Sequence, residues 1–306
     1  MKFDALIVAG GGQLDDYWGG PWGHPYALLK WSLITRLLHK KLLFVSVGRD
    51  SLNSPLSQVF IFFSLYLAHY RSYRDEISKH LLNNFSFTHK DLVYPDLAFC
   101  YPRSNNYNEH IFDINNFVIG VSPIAYLSNH AWPKKNIALY YTYLSVLSSF
   151  IENLLSRNCR IILFSTDKPD QHAIDDIFTL LKHKNQDESL KRVNFCPTQS
   201  IRDLERLLIS MDVIVASRLH GVLISHLLNR PVIAISYNRK VNTHMNNMSL
   251  SQYCLNIHEF QTEQICKIFD NIISNFEQIK NNISKNINEN SNLLKEQYNR
   301  LKHILN

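Results

Sequence analysis

Short, almost wholly apolar runs alternate along the chain with longer stretches in which apolar residues recur every three or four positions. That alternation is the pattern of parallel β-α-β construction. Strands are predicted at Ala5–Ala9, Leu42–Val47, Phe117–Val121, Ile161–Phe164, Val213–Ala216 and Pro231–Ser236. Helices are predicted over Tyr26–His39, Leu56–His69, Asp75–Leu82, Ile137–Leu155, Gln171–His183, Ile201–Ile209 and Val222–Leu228. From about Glu259 the chain is helical in pattern, rich in Asn and Lys and without strand signals, as expected of terminal helices packed across a surface.

A largely polar segment, Tyr101–Asn116, contains Pro102 and five Asn and separates the early β-α units from the later ones as a linker. At 306 residues the chain is long enough for two cores. The expectation is therefore an α/β protein with a Rossmann-like lobe over residues 1–110, a second over 111–258, and C-terminal helices over 259–306. No internal repeat is present at a solenoid period.

Charge and cysteine usage narrow the partners. The net charge of +6 is spread without a long basic tract, which favours small anionic ligands weakly and argues against nucleic acid. Five cysteines are scattered and never form a C-x-x-C pair, so they read as reduced thiols with no metal-ligand spacing. Met1 runs into a strand without the basic region of a secretion signal, which predicts a cytoplasmic protein. Val59–Ala68 is too short to span a membrane, and Ile137–Ile151 is interrupted by Thr142, Ser145, Ser148 and Ser149.

The richest stretch is Met211–Lys240. A buried strand ends at Ser217, and Arg218, Leu219, His220 and Gly221 turn the chain into a helix, which Asn229, Arg230 and Pro231 close. Ligands of open α/β sheets bind at strand carboxyl ends, where helix N-termini present unpaired N–H groups. Arg218 offers a planar fork for phosphate or carboxylate, His220 a group that exchanges protons near neutral pH, and Gly221 a close backbone approach. Lys240 follows the next strand and is placed to reach the same crevice. Arg230 and Arg239 are expected to cap a helix C-terminus or face solvent.

Other loops carry weaker signals. Gly10, Gly11 and Gly12 follow the first strand but lack both G-x-G-x-x-G spacing and a P-loop Lys, which disfavours a dinucleotide or nucleoside triphosphate site. Asp15 or Asp16 either orients an acceptor hydroxyl or caps the next helix. Ser165, Thr166 and Asp167 end a strand at a ligand-facing rim. In the charged run Arg71–Glu76, Asp75 is expected as a helix N-cap with Arg74 as its ion-pair neighbour. Tyr17, Trp18 and Trp22 form either a sugar-stacking wall or part of the core, the core being favoured.

Ser217–Lys240, reading SRLHG…NRPVIAISYNRK, resembles the signature region of polysaccharide pyruvyl transferases. Gly10–Asp16, Tyr70–Ser78, Tyr94–Phe99, Ile119–Pro123, Leu163–Asp167 and Gln252–Ile257 are similar to further blocks of that family, in the same order. The resemblance implies two Rossmann-like lobes facing a cleft in a GT-B-like fold. It also implies transfer of the pyruvyl group of phosphoenolpyruvate to two hydroxyls of a sugar, leaving a ketal and phosphate, with no cofactor and no metal. The family's Arg, His and Lys fall on Arg218, His220 and Lys240. His220 is then the general acid, Arg218 and Lys240 hold the donor, and Gly11, Gly12 and Asp15 or Asp16 help place the acceptor.

Two departures accompany the resemblance. Met1 lies only a few residues before the glycine block, so the first lobe is expected to be incomplete. Pro123 and Ile124 stand where some relatives carry an Arg, leaving a donor contact missing or supplied elsewhere. The acceptor is a sugar or lipid-linked glycan, with at most peripheral contact at the inner membrane face. The alternatives are a nucleotide-sugar glycosyltransferase of the same fold and a non-catalytic glycan-binding scaffold.

Overall fold

The computed structural model describes residues 3–17, 19–49, 52–101, 117–129, 132, 135–184 and 188–305. All but the first residue of the expected linker, and Trp18, lie outside the described residues. The chain divides into two compact units, residues 1–102 with 288–306, and residues 103–287.

The first unit runs β1 (Ala5–Ala9), α1 (His24–Leu37), β2 (Lys41–Val47), α2 (Pro55–Tyr66), β3 (Tyr70–Tyr73), α3 (Glu76–His80) and β4 (Leu92–Val93). Its four strands are parallel, in the order β1-β2-β3-β4. Side chains alternate across a strand, and β2 shows what each face meets. Leu42 and Phe44 pack in one cluster with Leu28 of α1 and with Ile61 and Leu65 of α2. Leu43 and Val45 point the other way, towards Leu301 and Ile304.

The second unit runs β5 (Val118–Ser122), α4 (Ile137–Ser156), β6 (Arg160–Leu163), α5 (Gln171–Lys184), β7 (Val193–Phe195), α6 (Ile201–Ile209), β8 (Val213–Ala216), α7 (Leu219–Leu227), β9 (Val232–Ser236), α8 (Arg239–Asn247), β10 (Cys254–Asn256) and α9 (Thr262–Ser274). Its six parallel strands are ordered β10-β9-β8-β5-β6-β7. Counted from β5, this is the doubly wound order 3-2-1-4-5-6, which reverses direction between β5 and β8 and leaves a crevice beyond their carboxyl ends. β5 sits tightly there. A Cβ on Gly120 would lie 2.2 Å from the Met211 sulfur and 3.1 Å from the Phe164 ring, so only glycine fits.

A last helix, α10 (Phe276–Leu305), starts in the second unit and ends in the first. Residues 259–306 are thus divided between the units, α9 lying wholly in the second. Gln297 is fully buried against the first sheet. Its side-chain nitrogen donates to the Ser72 Oγ at 2.8 Å and to the Ser46 Oγ at 3.2 Å.

All six expected strands form, within a residue at each end. β3, β4, β7 and β10 were not anticipated, nor was α8. Among the described residues, no helix is long and apolar enough to cross a membrane.

Candidate functional site

The crevice at the β5–β8 switch point is built around Arg218. This residue follows β8 in extended conformation as the N-cap of α7, which frees its side chain from the helix. Its Nε donates to Asp170 Oδ2 at 2.7 Å and its Nη2 to Asp170 Oδ1 at 3.0 Å. Nη2 also lies 3.2 Å from Asp167. Asp170 is fully buried at the end of the turn after β6, and its Oδ1 accepts from the Ala125 backbone N–H at 3.0 Å. Burial raises the Asp170 carboxyl above its ordinary value, against the opposing pull of Arg218.

One carboxylate therefore ties together the loops after β5, β6 and β8. It corrects the picture of Arg218 as an unencumbered fork: the Nε–Nη2 edge is committed within the protein, and a ligand has to use what remains. A second tie runs beside it. The buried Tyr143 hydroxyl accepts from the Ile124 N–H at 3.1 Å and lies 3.0 Å from the Ser217 Oγ. Burial is the larger influence on Tyr237 and raises its pKa, while Arg218 lies close enough for the guanidinium to act on its hydroxyl.

His220 and Lys240 stand in the first turns of α7 and α8, which follow the neighbouring parallel strands β8 and β9. Both thus sit on the carboxyl edge where helix N-termini favour anions. His220 is exposed. Lys240 is half-buried, and its backbone N–H donates to the capping Asn238 side chain at 3.1 Å. Gly221 is helical, and a Cβ there would meet Thr166 Cγ2 at 3.6 Å. Gly221 thus stands in the first turn of α7, near the loop after β6. The carbonyl of Ser165 accepts from the Thr198 hydroxyl at 2.8 Å.

An aromatic group adjoins Arg218. The Tyr126 ring lies 5.1 Å from Trp132, 5.2 Å from Tyr237 and 5.7 Å from His258, centroid to centroid. The anticipated aromatic cluster differs: Tyr17 and Trp22 are exposed and so are not core. Arg230 is buried and donates to the Ile209 carbonyl at the end of α6, at 2.8 Å.

The remaining candidates belong to the first unit. Gly10 and Gly11 have φ of 54° and 66°, the left-handed region that favours glycine, and the Gly48 N–H donates to the Gly11 carbonyl at 2.6 Å. Gly12 follows in the same loop and is half-buried. Asp16 does not cap α1, whose N-cap is Gly23. Its carboxylate accepts from the Asn53 and Ser54 N–H groups at 2.9–3.1 Å, holding the turn before α2. Asp15 accepts from the Tyr17 N–H at 3.3 Å. Asp75 caps α3 by accepting from the Ser78 N–H at 2.6 Å, and Arg74 pairs with Asp75 and Asp96, each at 3.5 Å.

The helices that carry His220 and Lys240 are joined at their far ends by two imidazoles. His226 Nδ1 of α7 lies 3.0 Å from His244 Nε2 of α8, and the rings stack. His226 is fully buried, and burial, with His244 beside it, pushes it well below the ordinary histidine value of 6.5. Below pH 6.5 the unfolded chain binds a proton at this position that the folded chain refuses. Stability is thus present above that pH and lost as pH falls, by about 1.4 kcal/mol per pH unit. Urea unfolding between pH 7 and 5 should show this slope, and His226→Met should remove most of it. Equal slopes for both proteins would count against the assignment.

Among the described residues, no group of three His, Cys, Asp or Glu could hold a metal ion. A comparison with curated proteins finds no match. Among solved structures, UDP-GlcNAc 2-epimerase from Methanocaldococcus jannaschii is 13% identical with a TM-score of 0.58, over 87% of this chain and 69% of that one. MnaA from S. aureus, solved with UDP, is 12% identical with a TM-score of 0.59, over 99% and 74%. Anabaena HepE, in complex with UDP and glucose, is 13% identical with a TM-score of 0.54, over 99% and 77%. At these identities the likeness is one of fold, the GT-B-like arrangement of parallel α/β units. The family model for polysaccharide pyruvyl transferase matches residues 2–239, ending one residue before Lys240. That span holds both parallel sheets up to β9, Asp170 and the Arg-x-His turn, and the chain accordingly belongs to the polysaccharide pyruvyl transferase family.

Proposed function

We propose that this protein transfers the pyruvyl group of phosphoenolpyruvate to a sugar of a polysaccharide or glycan precursor, forming a cyclic ketal. The observation that carries the reading is the Arg218–Asp170 pair at the switch point, with His220 and Lys240 on the same carboxyl edge. Phosphoenolpyruvate bears a phosphate and a carboxylate, so its site needs fixed positive charge. The uncommitted part of Arg218, the Lys240 ammonium and two helix N-termini supply it.

His220, exposed and therefore accessible, protonates the methylene carbon of the enol, making the adjacent carbon electrophilic. One sugar hydroxyl attacks that carbon and its proton restores His220. The second hydroxyl displaces phosphate, and its proton leaves with the phosphate. No redox partner and no nucleotide enter the balance. Gly221, Ser165 and Thr166 are assigned to substrate binding beside Arg218, while the glycine loop and Asp15 or Asp16 are assigned to the acceptor. Tyr126 and Tyr237 offer ring faces to the apolar side of a sugar.

The test is to supply phosphoenolpyruvate with candidate glycans, reading phosphate release together with the ketal methyl signal by NMR. Both should appear and depend on the acceptor. Nucleotide release from a UDP-sugar, without phosphate from phosphoenolpyruvate, would replace this reading with glycosyl transfer.

A further inference from the structure

The helices α1 and α2 bury Leu28, Ile61 and Leu65 in the core of the first unit and carry further large apolar residues on their outer faces. On α1 the buried positions include Ser32 and Thr35, while Leu33 and Leu37 are exposed. On α2 the buried positions include Ser57 and Ser64, while Leu56, Val59, Phe63 and Tyr66 are exposed. Those four lie at i, i+3, i+7 and i+10, one continuous stripe, and α2 carries no charged residue at all. Leu37 is 76% and Tyr66 61% accessible. Large apolar residues grouped on an outward face, beyond those the core takes, mark a surface that meets apolar surroundings.

The edge of this face names the surroundings. From Tyr17 to His69 the sequence has five Lys or Arg and one acidic residue, Asp50. Lys30, Arg36 and Lys41 are exposed, and Lys30 lies over the Trp31 ring. In the turn before α1, Trp22 is 67% accessible and packs edge-on against Phe60 of α2. Trp and Tyr beside Lys and Arg around an apolar stripe match the interface of a bilayer with anionic headgroups. Twelve residues of α2 cannot cross a bilayer, but they can lie in its surface.

We propose that the α1–α2 face docks peripherally on an anionic lipid surface, with the α2 stripe entering the headgroup layer and the basic residues meeting the lipid charge. A second copy of the chain would bury the stripe equally well but would leave these cations facing one another, so the charge distribution favours lipid.

The full chain should sediment with phosphatidylglycerol vesicles at low salt, and weakly or not at all with phosphatidylcholine vesicles. Phe63→Gln with Tyr66→Gln should weaken that binding about 100-fold. Lys30→Glu or Arg36→Glu should weaken it about fivefold or more each, and high salt should erase the difference. Circular dichroism should show each variant folded like the parent, since all four positions are exposed and the substitutions remove only surface contacts, with Trp31, His69, Phe62 and Phe87. The idea fails if the parent does not bind phosphatidylglycerol vesicles. It fails equally if sedimentation shows a dimer that Phe63→Gln with Tyr66→Gln dissolves. The assay uses no phosphoenolpyruvate, so its outcome is independent of the proposed reaction.

Discussion

Arg218→Ala lowers the stability of the second unit by about 3–5 kcal/mol, because it leaves the fully buried Asp170 carboxylate without its bidentate partner. The expected record is a urea midpoint shifted down with the slope unchanged. A change under about 1 kcal/mol would mean that Asp170 is neutral or otherwise satisfied. A double substitution separates structure from binding. Arg218→Met with Asp170→Leu removes both charges and should recover most of the stability, as buried pairs replaced by apolar groups commonly do. It should not recover phosphoenolpyruvate binding. Arg218→Lys is intermediate: a point charge cannot reach both Asp170 oxygens and still present a flat edge to a ligand.

His220→Ala is expected to do the reverse. The His220 side chain is exposed, so its removal should change stability by no more than about 0.5 kcal/mol. Turnover should fall by about 10²–10⁴-fold if the imidazole delivers the proton to the enol carbon. Phosphate release from phosphoenolpyruvate in the presence of acceptor measures this directly. A rate within a factor of two of the parent would remove His220 from the chemistry. The two variants make a matched pair on one short turn, the first failing chiefly as a protein and the second chiefly as a catalyst.

What the sequence disclosed follows from how each element is buried. β2, β5, β8 and β9 are covered on both faces, so they stand out as unbroken apolar runs. β3 reads Tyr-Arg-Ser-Tyr because its Arg71 and Tyr73 both bond Asp91, a partner eighteen or more residues away that no local pattern reveals. β4, β7 and β10 have two or three residues each, too few to show a period. α8 opens with Arg-Lys and buries little besides Val241, His244 and Met245, so it resembles a polar loop.

The site was half visible for a similar reason. Arg218, His220 and Lys240 lie within one β-α-β-α segment and could be read together. Asp170 sits 48 residues upstream in Lys-Pro-Asp-Gln, where a carboxylate before a helix ordinarily signals a cap. The available hint was that a guanidinium at a buried strand end needs a carboxylate, and that the block ending in Asp167 lies on the adjoining part of the sheet. Tyr143 and Trp132 had no such hint, since each is one aromatic among many.

α10 imposes an order on biosynthesis. The face of β2 bearing Leu43 and Val45, with the hydroxyls of Ser46 and Ser72, receives its cover from Gln297, Leu301 and Ile304. A nascent chain therefore carries an open apolar sheet face for some 250 residues of synthesis, while the second unit emerges and folds by itself. The unit begun first is completed last, and during that interval it is the part of the polypeptide that a chaperone has most reason to hold.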